Sequence, residues 1–482
     1  MPPNEICDNS ATQLAERLRT GDLSAVDVLT AHLGRIEAEN PRLNAIVTLC
    51  PDRALDAARA ADRRRAAGEI LGPLHGLPIA YKDLVLTRGV RTTLGSTLLR
   101  DFVPENDDLI VERLTAAGAI LVGKTNTPEF GAGSQTFNEV FGATRNPWDV
   151  SKTCGGSSGG AAVAVASGML PIADGSDMGG SLRNPASFCG VVGMRTSPGR
   201  VPIHPARDAW STLSVLGPMA RSAQDAALLL SAMAGPDPHS PIALPEPGES
   251  FARPLGRDFR GVRIAWSEDL GGLPLDQRVR STGAAGRRIF ENLGCLIDEG
   301  EPDLRDADAV FKTLRAMAFV SGLAGLDEQS LSRVKDTVRW NYEQGVALRA
   351  ADLVRAQGMH GQIYLRMQEF LRQREFLVAP VSQVPPFDIE TPYPTEIDGV
   401  AMETYIDWMK SCYFITVTGH PAASVPCGFT EDGLPVGLQI IGHHRDDFGV
   451  LQLAHAFEQA RGPLPRPGSH ARPAPDREPA SS

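Results

Sequence analysis

Two serines in glycine-rich surroundings are the residues of this chain whose context most strongly suggests chemistry. Ser157 lies within Gly155-Gly-Ser-Ser-Gly-Gly160, and Ser181 follows the pair Gly179-Gly180. Glycines beside a hydroxyl allow the backbone to approach a substrate closely and to point N–H groups at it. We therefore predict that residues 155–195 form an active-site platform. The alternative is a pair of tight turns with no catalytic role.

A serine hydroxyl becomes a good nucleophile only when a base removes its proton. None of the ten histidines has an obviously catalytic context, so a histidine-free arrangement has to be considered. Lys82 is a candidate base because it follows a short apolar, strand-like run and has Asp83 beside it. A lysine at such a strand end is more often a solvated surface charge, and its position alone does not decide.

Residues 118–125 match the spacing of a Walker A phosphate loop, Gly-x-x-x-x-Gly-Lys-Thr. A phosphate loop requires a strand before its first glycine and a flexible cradle after it. Here a helical pattern precedes Gly118, and the residues between the two glycines are themselves strand-like. We therefore expect a helix followed by a strand at this point, and no nucleotide site.

Residues 155–159 formally fit Gly-x-Ser-x-Gly, the nucleophile elbow of α/β-hydrolases. That turn requires a hydrophobic strand directly before the serine. The preceding residues 146–154 are polar and contain a proline. This context disfavours an α/β-hydrolase.

Several long motifs, in one order along residues 70–460, resemble those of the amidase signature family. The motifs are Gly76-Leu-Pro-Ile-Ala-Tyr-Lys-Asp83, Gly155-Gly-Ser-Ser-Gly-Gly160, Gly175-Ser-Asp-Met-Gly-Gly-Ser-Leu-Arg183, Phe188-Cys-Gly-Val-Val-Gly193, Ser197-Pro-Gly-Arg200, Gly217-Pro-Met-Ala-Arg221 and Gly433-Leu-Pro-Val-Gly-Leu-Gln439. The likeness covers most of the chain and is far more specific than either short pattern above.

The family uses a Ser–cis-Ser–Lys triad, and the resemblance assigns its members by position. It implies that Ser181 is the nucleophile that forms an acyl-enzyme, that Ser157 is the bridging serine after a cis peptide bond, and that Lys82 is the base. Free lysine has a pKa of about 10.4, so this role requires burial that lowers the pKa. The other implied site residues are Met178, Gly179 and Gly180 as oxyanion donors, and Ser158, Asp177 and Arg183 around them. A structural ion pair is the alternative for Asp177 and Arg183. The resemblance implies no cofactor and no metal ion.

The resemblance leaves the substrate open, because the family contains stand-alone amidases and the glutaminase subunit of tRNA-dependent amidotransferases. The glutaminase subunits carry a serine-serine-leucine-aspartate type of stretch after the position of Arg200, whereas this chain has Ala-Trp-Ser-Thr-Leu-Ser-Val-Leu at 209–216. We expect a small-molecule amide with aryl or alkyl groups. Oligoamide or carbamate hydrolysis, and a glutaminase that needs a partner subunit, are the alternatives. Aromatic residues that could line the pocket are Trp340, Tyr342, Tyr364, Tyr393, Tyr405, Trp408 and Tyr413.

The elements that must position these residues alternate between helical and strand-like patterns, which predicts an α/β fold with a central mixed sheet covered by helices on both faces. Helices are expected at 10–40, 107–118, 159–167, 222–233 and 447–460, and they should dominate 275–375. Strands are expected at 119–123, 170–173, 261–266, 376–380, 424–428 and 436–441.

We predict one large domain over residues 1–465, divided into four parts. These are a helical N-terminal region (1–70), a catalytic core (71–235), a mostly helical substrate-pocket region (257–420) and C-terminal strands with a helix (421–461). Residues 466–482 are rich in Pro, Arg and Ser, and we expect them to be disordered.

Composition excludes several classes of protein. The net charge is −11 and no basic run occurs, which argues against nucleic-acid binding. Seven scattered cysteines without a C-x-x-C pair argue against a disulfide framework or a zinc site. We expect reduced thiols, a cytoplasmic location, no membrane span and a monomer or homodimer that acts on a small molecule.

Overall fold

The computed structural model describes residues 3–468 of the 482-residue chain. Fifteen α-helices lie in this part of the chain: α1 (Pro3–Asp8), α2 (Ala11–Thr20), α3 (Ala25–Leu43), α4 (Pro51–Ala66), α5 (Leu109–Ala116), α6 (Gly159–Ala166), α7 (Arg183–Cys189), α8 (Ala223–Met233), α9 (Gln277–Asn292), α10 (Ala307–Gly322), α11 (Glu328–Leu331), α12 (Asp336–Val346), α13 (Ala350–Leu371), α14 (Lys410–Thr416) and α15 (Asp447–Arg461).

The strands of the same residues number fifteen, and several of them are only two residues long. They are β1 (Ile46–Leu49), β2 (Pro78–Lys82), β3 (Ile120–Thr125), β4 (Phe137–Asn138), β5 (Gly142–Ala143), β6 (Ile172–Asp177), β7 (Val192–Arg195), β8 (Val215–Ala220), β9 (Arg263–Trp266), β10 (Leu296–Glu299), β11 (Phe376–Pro380), β12 (Glu396–Ile397), β13 (Val400–Ala401), β14 (Ala422–Phe429) and β15 (Pro435–Ile441).

Eight of these strands form the central sheet, in the order β10-β9-β11-β15-β14-β7-β8-β6. The first three are parallel to one another, and the remaining neighbours pair antiparallel. The sheet is therefore mixed, as the sequence predicts. A second, three-stranded sheet in the order β1-β3-β2 carries Lys82 at the end of β2.

Helices cover both faces of the central sheet, and β15 shows this directly. Every residue of β15 is buried, as expected for a strand covered on both sides. A Cβ atom at Gly437 would meet Ser187 of α7, whereas Leu438, which follows it, contacts Gly286 of α9. Successive strand residues point to opposite faces, so α7 and α9 pack on opposite sides. The predicted α/β architecture is confirmed.

The predicted elements of the N-terminal half agree closely with the observed ones. The region 10–40 forms two helices, and Ser24 and Asp27 form the capping box that begins α3. Ser222 likewise accepts a hydrogen bond from the backbone N–H of Asp225 at the start of α8. These caps satisfy N–H groups that lack partners in the first helical turn.

Strand β10 lies inside the stretch where helices were expected to dominate. Residues 296–299 alternate exposed and half-buried positions and pair in parallel with β9 at the sheet edge. A short, half-exposed edge strand has little apolar periodicity, so its sequence carries a weak signal. The four-part division of the domain stays a prediction. Most of the predicted tail, residues 469–482, lies outside the described residues.

No helix in residues 3–468 combines the length and the apolar character that crossing a bilayer requires.

Candidate active site

Strand β2 places Lys82 in the interior of the protein and not on its surface. All five residues of β2 are buried, and Lys82 itself has no exposed surface. Parallel pairing sets Lys82 opposite Thr125 of β3. The backbone N–H of Lys82 donates to Asp174 Oδ1 at 3.0 Å, which ties the end of β2 to β6.

The ammonium group of Lys82 is surrounded by hydroxyl groups. Its Nζ donates to Ser157 Oγ at 2.7 Å, to Ser158 Oγ at 2.9 Å and to Ser176 Oγ at 3.0 Å. Burial lowers the pKa of Lys82 to about 7, against the opposing influence of the Asp174 and Asp177 carboxylates. Near neutral pH, a substantial share of Lys82 is therefore the neutral amine, which can accept a proton.

The loop that carries Ser157 is held by side chains from a different segment. The Gly156–Ser157 peptide bond is cis, at the position where the resemblance implies one. Ser134 Oγ donates to the carbonyl of Gly156 at 2.6 Å, and Thr136 Oγ1 donates to that of Gly155 at 2.8 Å. Ser157 is only 3% exposed, so its hydroxyl faces the interior and Lys82.

Helix α6 begins directly after this loop and packs unusually close to its neighbours. All its residues are buried. A Cβ atom at Gly160 would lie 2.3 Å from Asn126 N and 2.6 Å from Ala45 O, so only glycine permits this approach. The small-residue helix predicted at 159–167 thus anchors Ser157 and Ser158 against β1 and β3.

Ser181 lies on the turn between β6 and α7. The backbone N–H of Ser158 donates to the carbonyl of Ser181 at 3.2 Å, so the two serine loops are in direct contact. Between Asp174 and Arg183, only Ser176, Met178 and Ser181 are partly exposed. The accessible surface of this segment therefore includes the Ser181 hydroxyl.

Asp177 and Arg183 form a buried ion pair just below this turn. Arg183 Nε and Nη2 donate to the two Asp177 carboxylate oxygens at 3.1 and 3.0 Å, and Arg195 Nη1 lies 3.3 Å from Oδ1. Burial alone would raise the pKa of Asp177, but the two guanidinium groups outweigh it and hold the pKa below its ordinary range. Arg183 Nη1 also donates to Gln439 Oε1 at 2.9 Å, which connects the C-terminal motif to the site.

Asp177 also shapes the backbone of the nucleophile turn. Its carboxylate accepts the N–H of Gly180 at 3.0 Å and that of Leu182 at 3.2 Å. Gly180 has φ of +110°, and a Cβ there would lie 2.5 Å from Cys412 Cβ, so a side chain is excluded. Because Asp177 already occupies the N–H of Gly180, Met178 and Gly179 are the better placed of the three predicted oxyanion donors.

Apolar side chains from two distant segments cover the turn at Gly179. A Cβ atom on this residue would lie 3.0 Å from Phe311 Cζ and 3.8 Å from Met409 Cε. Phe311 stacks on Tyr413 with ring centroids 4.2 Å apart. The wall next to Gly179 is thus aromatic and aliphatic.

Arg315 links this wall to Tyr405. Its Nη2 donates to Tyr405 Oη at 2.8 Å, its Nε donates to Asn341 Oδ1 at 3.0 Å, and its Nη1 contacts Met178 Sδ at 3.6 Å. Tyr405 lies 3.6 Å from the position of a Cβ on Gly133. Of the aromatic residues singled out in the sequence, Tyr405 is therefore connected to the site.

The other aromatic candidates occupy different surroundings. Trp408 is buried and stacks on Phe188, and Tyr364 packs against His420 and His444. Tyr342 belongs to a separate cluster around Phe319. These positions indicate structural roles for Trp408, Tyr364 and Tyr342.

Sequence reasoning missed Ser176, Asp174, Phe311 and Arg315. Ser176 stood inside a recognised motif, and its position two residues from Asp174 on β6 was the only available signal. Phe311 and Arg315 lie on α10, where nothing in the local pattern distinguishes them from other buried residues. Their proximity depends on how α10 packs in space.

The Walker-like stretch is a helix followed by a strand, as expected. Lys124 lies within β3, is fully buried, and donates to the carbonyl of Val85 and to Thr87 Oγ1. It is therefore unavailable to a phosphate. The elbow-like serine is also preceded by irregular chain at residues 154–156 and not by a buried strand, which confirms that the α/β-hydrolase context is absent there.

All seven cysteines are free thiols. Within residues 3–468, no group of three or more His, Cys, Asp or Glu side chains is arranged to hold a metal ion.

Comparisons with known proteins agree with this geometry. The family model described as Amidase matches residues 27–451. An acylamidase of Rhodococcus erythropolis is 35% identical over 455 residues, covering 94% of this chain and 95% of that protein. A glutamyl-tRNA(Gln) amidotransferase subunit of Geobacillus kaustophilus is 36% identical over 487 residues, covering 94% of this chain and 97% of its own.

A solved bacterial aryl acylamidase, described as a member of the amidase signature enzymes, superposes with a TM-score of 0.88. It is 28% identical and covers 94% of this chain and 96% of its own. Together with the family match, these likenesses show that the chain belongs to the amidase signature family and is a hydrolase of carbon–nitrogen bonds in linear amides.

Proposed function

We propose that this enzyme hydrolyses small amides with aryl or alkyl groups through an acyl-enzyme on Ser181, with Ser157 as the proton relay and Lys82 as the base. The observation that carries the substrate class is the apolar wall that Phe311 and Met409 form beside Gly179. An apolar pocket favours aryl and alkyl groups over a small polar amide. The acylamidase and aryl acylamidase relatives support the same class.

Acylation begins with two proton transfers. Neutral Lys82 accepts the proton of Ser157 Oγ, 2.7 Å from its Nζ, while Ser157 accepts the proton of Ser181 Oγ. Ser181 Oγ then attacks the amide carbonyl carbon, and the carbonyl oxygen becomes negatively charged. The N–H groups of Met178 and Gly179 stabilise this oxyanion, and each such donor contributes about 10²–10³ in rate.

Collapse of the intermediate breaks the C–N bond. The proton held by Lys82 returns through Ser157 to the leaving nitrogen, so the amine departs neutral and Ser181 remains as an ester. Water then attacks the ester with the same base and relay, and the carboxylic acid leaves. Asp177 and Arg183 act through the shape of the turn and do not exchange protons in this scheme. The mechanism requires no metal ion and no cofactor.

Oligoamide or carbamate hydrolysis would use the same steps and is distinguished only by the pocket. A glutaminase role with a partner protein is supported by the amidotransferase relatives, but the apolar wall at Gly179 opposes it. We further propose that the enzyme acts alone, as a monomer or homodimer. The seven free thiols support a cytoplasmic location.

Turnover of the purified chain on a substrate panel tests the proposed substrate class. The panel contains anilides, alkyl amides, a carbamate, a linear oligoamide and glutamine, with Ser181→Ala as the blank. We expect the highest kcat/KM for anilides or alkyl amides. Glutamine turnover that requires an added partner protein would reject the proposal in favour of the amidotransferase role.

A Phe311→Ala variant sharpens this test, because it removes the apolar wall and leaves the triad unchanged. We expect it to lower kcat/KM for an anilide about tenfold or more and to have a smaller effect on acetamide. Equal losses on both substrates would show that Phe311 does not contact the substrate.

The pH dependence of kcat/KM tests Lys82 as the base. Only the neutral amine accepts a proton, and burial lowers the pKa of Lys82 to about 7. Activity should therefore be low in acid and should rise with pH through a midpoint of about 7. A flat profile from pH 6 to 10, or a midpoint near that of free lysine, would contradict this role.

A further inference from the structure

A cavity of about 210 Å³ lies against Lys82, and we refer to it as the rear cavity. Its lining includes the buried Lys82 and Asp174, the partly exposed Ser176 and Asp108, and the exposed His204. Neither Ser157 nor Ser181 lines it. The rear cavity therefore reaches the base from a side other than that of the nucleophile.

Asp174 contributes an unusual group to the rear cavity. The residue is fully buried, and its Oδ1 accepts the N–H of Lys82 at 3.0 Å. Its Oδ2 is also buried and has no hydrogen-bond partner among the described residues. Leaving such an oxygen unsatisfied costs about 1–3 kcal/mol, so a ligand with a hydrogen-bond donor is expected in the cavity.

Water fits this cavity in both size and polarity. One water occupies about 30 Å³ of liquid and needs two to four polar partners, and the cavity has room for several. Asp174 Oδ2 and the Asp108 carboxylate can accept hydrogen bonds. Ser176 Oγ lies 3.0 Å from Lys82 Nζ and completes a connection from the cavity to the base.

We propose that the rear cavity holds water joining Asp174 to Lys82, and that Asp174 is a positioning residue that stabilises the ammonium form of Lys82. Between turnovers, the ammonium form releases its proton through this water to solvent and regains it along the same route. This inference rests on the proposed role of Lys82 as the base. It adds a residue that sets the pH range in which that base works.

Several other charged or titratable groups surround the pair and act on the same equilibrium. Burial raises the pKa of Asp174 to about 6, opposed by Lys124 and Lys82, and Asp177 also favours the ammonium form of Lys82. The full set of neighbouring groups is Tyr81, Asp108, Lys124, Asp177 with its partners Arg183 and Arg195, and His204 at the cavity lining.

The Asp174→Asn variant tests the proposal through the pH profile. The amide oxygen can still accept the N–H of Lys82, but the negative charge is lost, so the ammonium form is less stable. We expect the midpoint of kcat/KM to move to lower pH by about one unit. For a midpoint moving from about 7 to about 6, the ratio of kcat/KM at pH 6 to that at pH 8 rises from about 0.1 to about 0.5.

A second variant, Ser214→Phe, tests the water without touching either charged group. Ser214 lines the rear cavity, and a phenyl ring there displaces water from Asp174. The carboxylate then becomes protonated, so the midpoint moves in the same direction as in Asp174→Asn. The double variant should show little additional shift, because both changes remove the same charge. Asp108→Asn, on the same cavity, should give a smaller shift than Asp174→Asn.

Either of two results overturns the proposal: a midpoint unchanged in Asp174→Asn, or shifts that add in the double variant. If Asp174→Asn fails to fold, Ser214→Phe alone decides, since an unchanged or more alkaline midpoint is then sufficient to reject the water. Failure here is distinguishable from failure of the proposed function, because the latter would leave Ser181→Ala or Lys82→Met active.

Discussion

Ser181→Ala is expected to lower kcat by about 10⁴-fold or more while leaving Tm close to that of the wild type. The substitution removes the atom that forms the ester to the substrate. The Ser181 side chain is partly exposed, so its loss creates no buried cavity. Steady-state kinetics on the best substrate of the panel and a thermal melt measure the two effects.

Ser281→Ala is a matched control for this substitution, because Ser281 lies on the exposed surface of α9. It should retain the kcat of the wild type. A Ser181→Ala variant that keeps more than a tenth of the wild-type kcat would mean that another group is the nucleophile, and Ser157 would be the first to examine.

Lys82→Met is expected to lower kcat by about 10³–10⁴-fold, the range that a general base contributes. Methionine has a similar length and no proton-accepting nitrogen, so Ser157 loses its base. The hydroxyl groups of Ser157, Ser158 and Ser176 also lose a shared partner. Kinetics at pH 8, where the wild-type lysine is mostly neutral, measure the loss most clearly.

The stability of this variant should depend on pH in a specific direction. The pKa of Lys82 is about 7 in the folded chain and about 10.4 in the unfolded chain. Between these values the unfolded chain binds one more proton, so raising the pH stabilises the wild type. Lys82→Met lacks this contribution. Its Tm relative to the wild type should therefore be highest at pH 7 and should fall as pH rises to 10.

Lys124→Met is the control for burial of a lysine in the adjacent strand. Lys124 donates to Val85 O, Thr87 and Thr92, so its loss should reduce Tm and affect kcat far less than Lys82→Met does. Equal losses of kcat in the two variants would indicate that Lys82 supports the structure and does not act as the base.

The sequence predicted much of the fold because its strongest signals are local. The capping pairs at Ser24 and Ser222 satisfy the first turns of α3 and α8, and β15 is a continuous apolar run. Each depends on a few neighbouring residues. Strand β10 escaped prediction because it is half-exposed at the edge of the sheet, where burial imposes little pattern.

The site was accessible from sequence only where motifs carried it. Lys82 and Ser157 are 75 residues apart, and no local pattern shows that β2 and the serine loop meet. The motif resemblance supplied that pairing. Asp174, Phe311 and Arg315 had no such guide, because their contacts arise from the packing of β6 against β2 and of α10 against the turn at Gly179.

The occupation of the Gly180 N–H could likewise not be read from sequence. Adjacent glycines suggest free N–H groups, but whether each is free depends on the side chains that fold back onto the turn. Here Asp177 accepts the N–H of Gly180 while also pairing with Arg183. One carboxylate thus both forms a buried ion pair and sets the shape of the nucleophile turn.

The most direct test of the central claim is to locate the covalent adduct. The wild-type enzyme is treated with a fluorophosphonate, which modifies nucleophilic serines, and the modified peptide is sequenced by tandem mass spectrometry. Our account predicts a single adduct on Ser181, with labelling that increases with pH through a midpoint of about 7, the pKa to which burial lowers Lys82. An adduct on Ser157, or equal labelling of the Ser181→Ala variant, would contradict it.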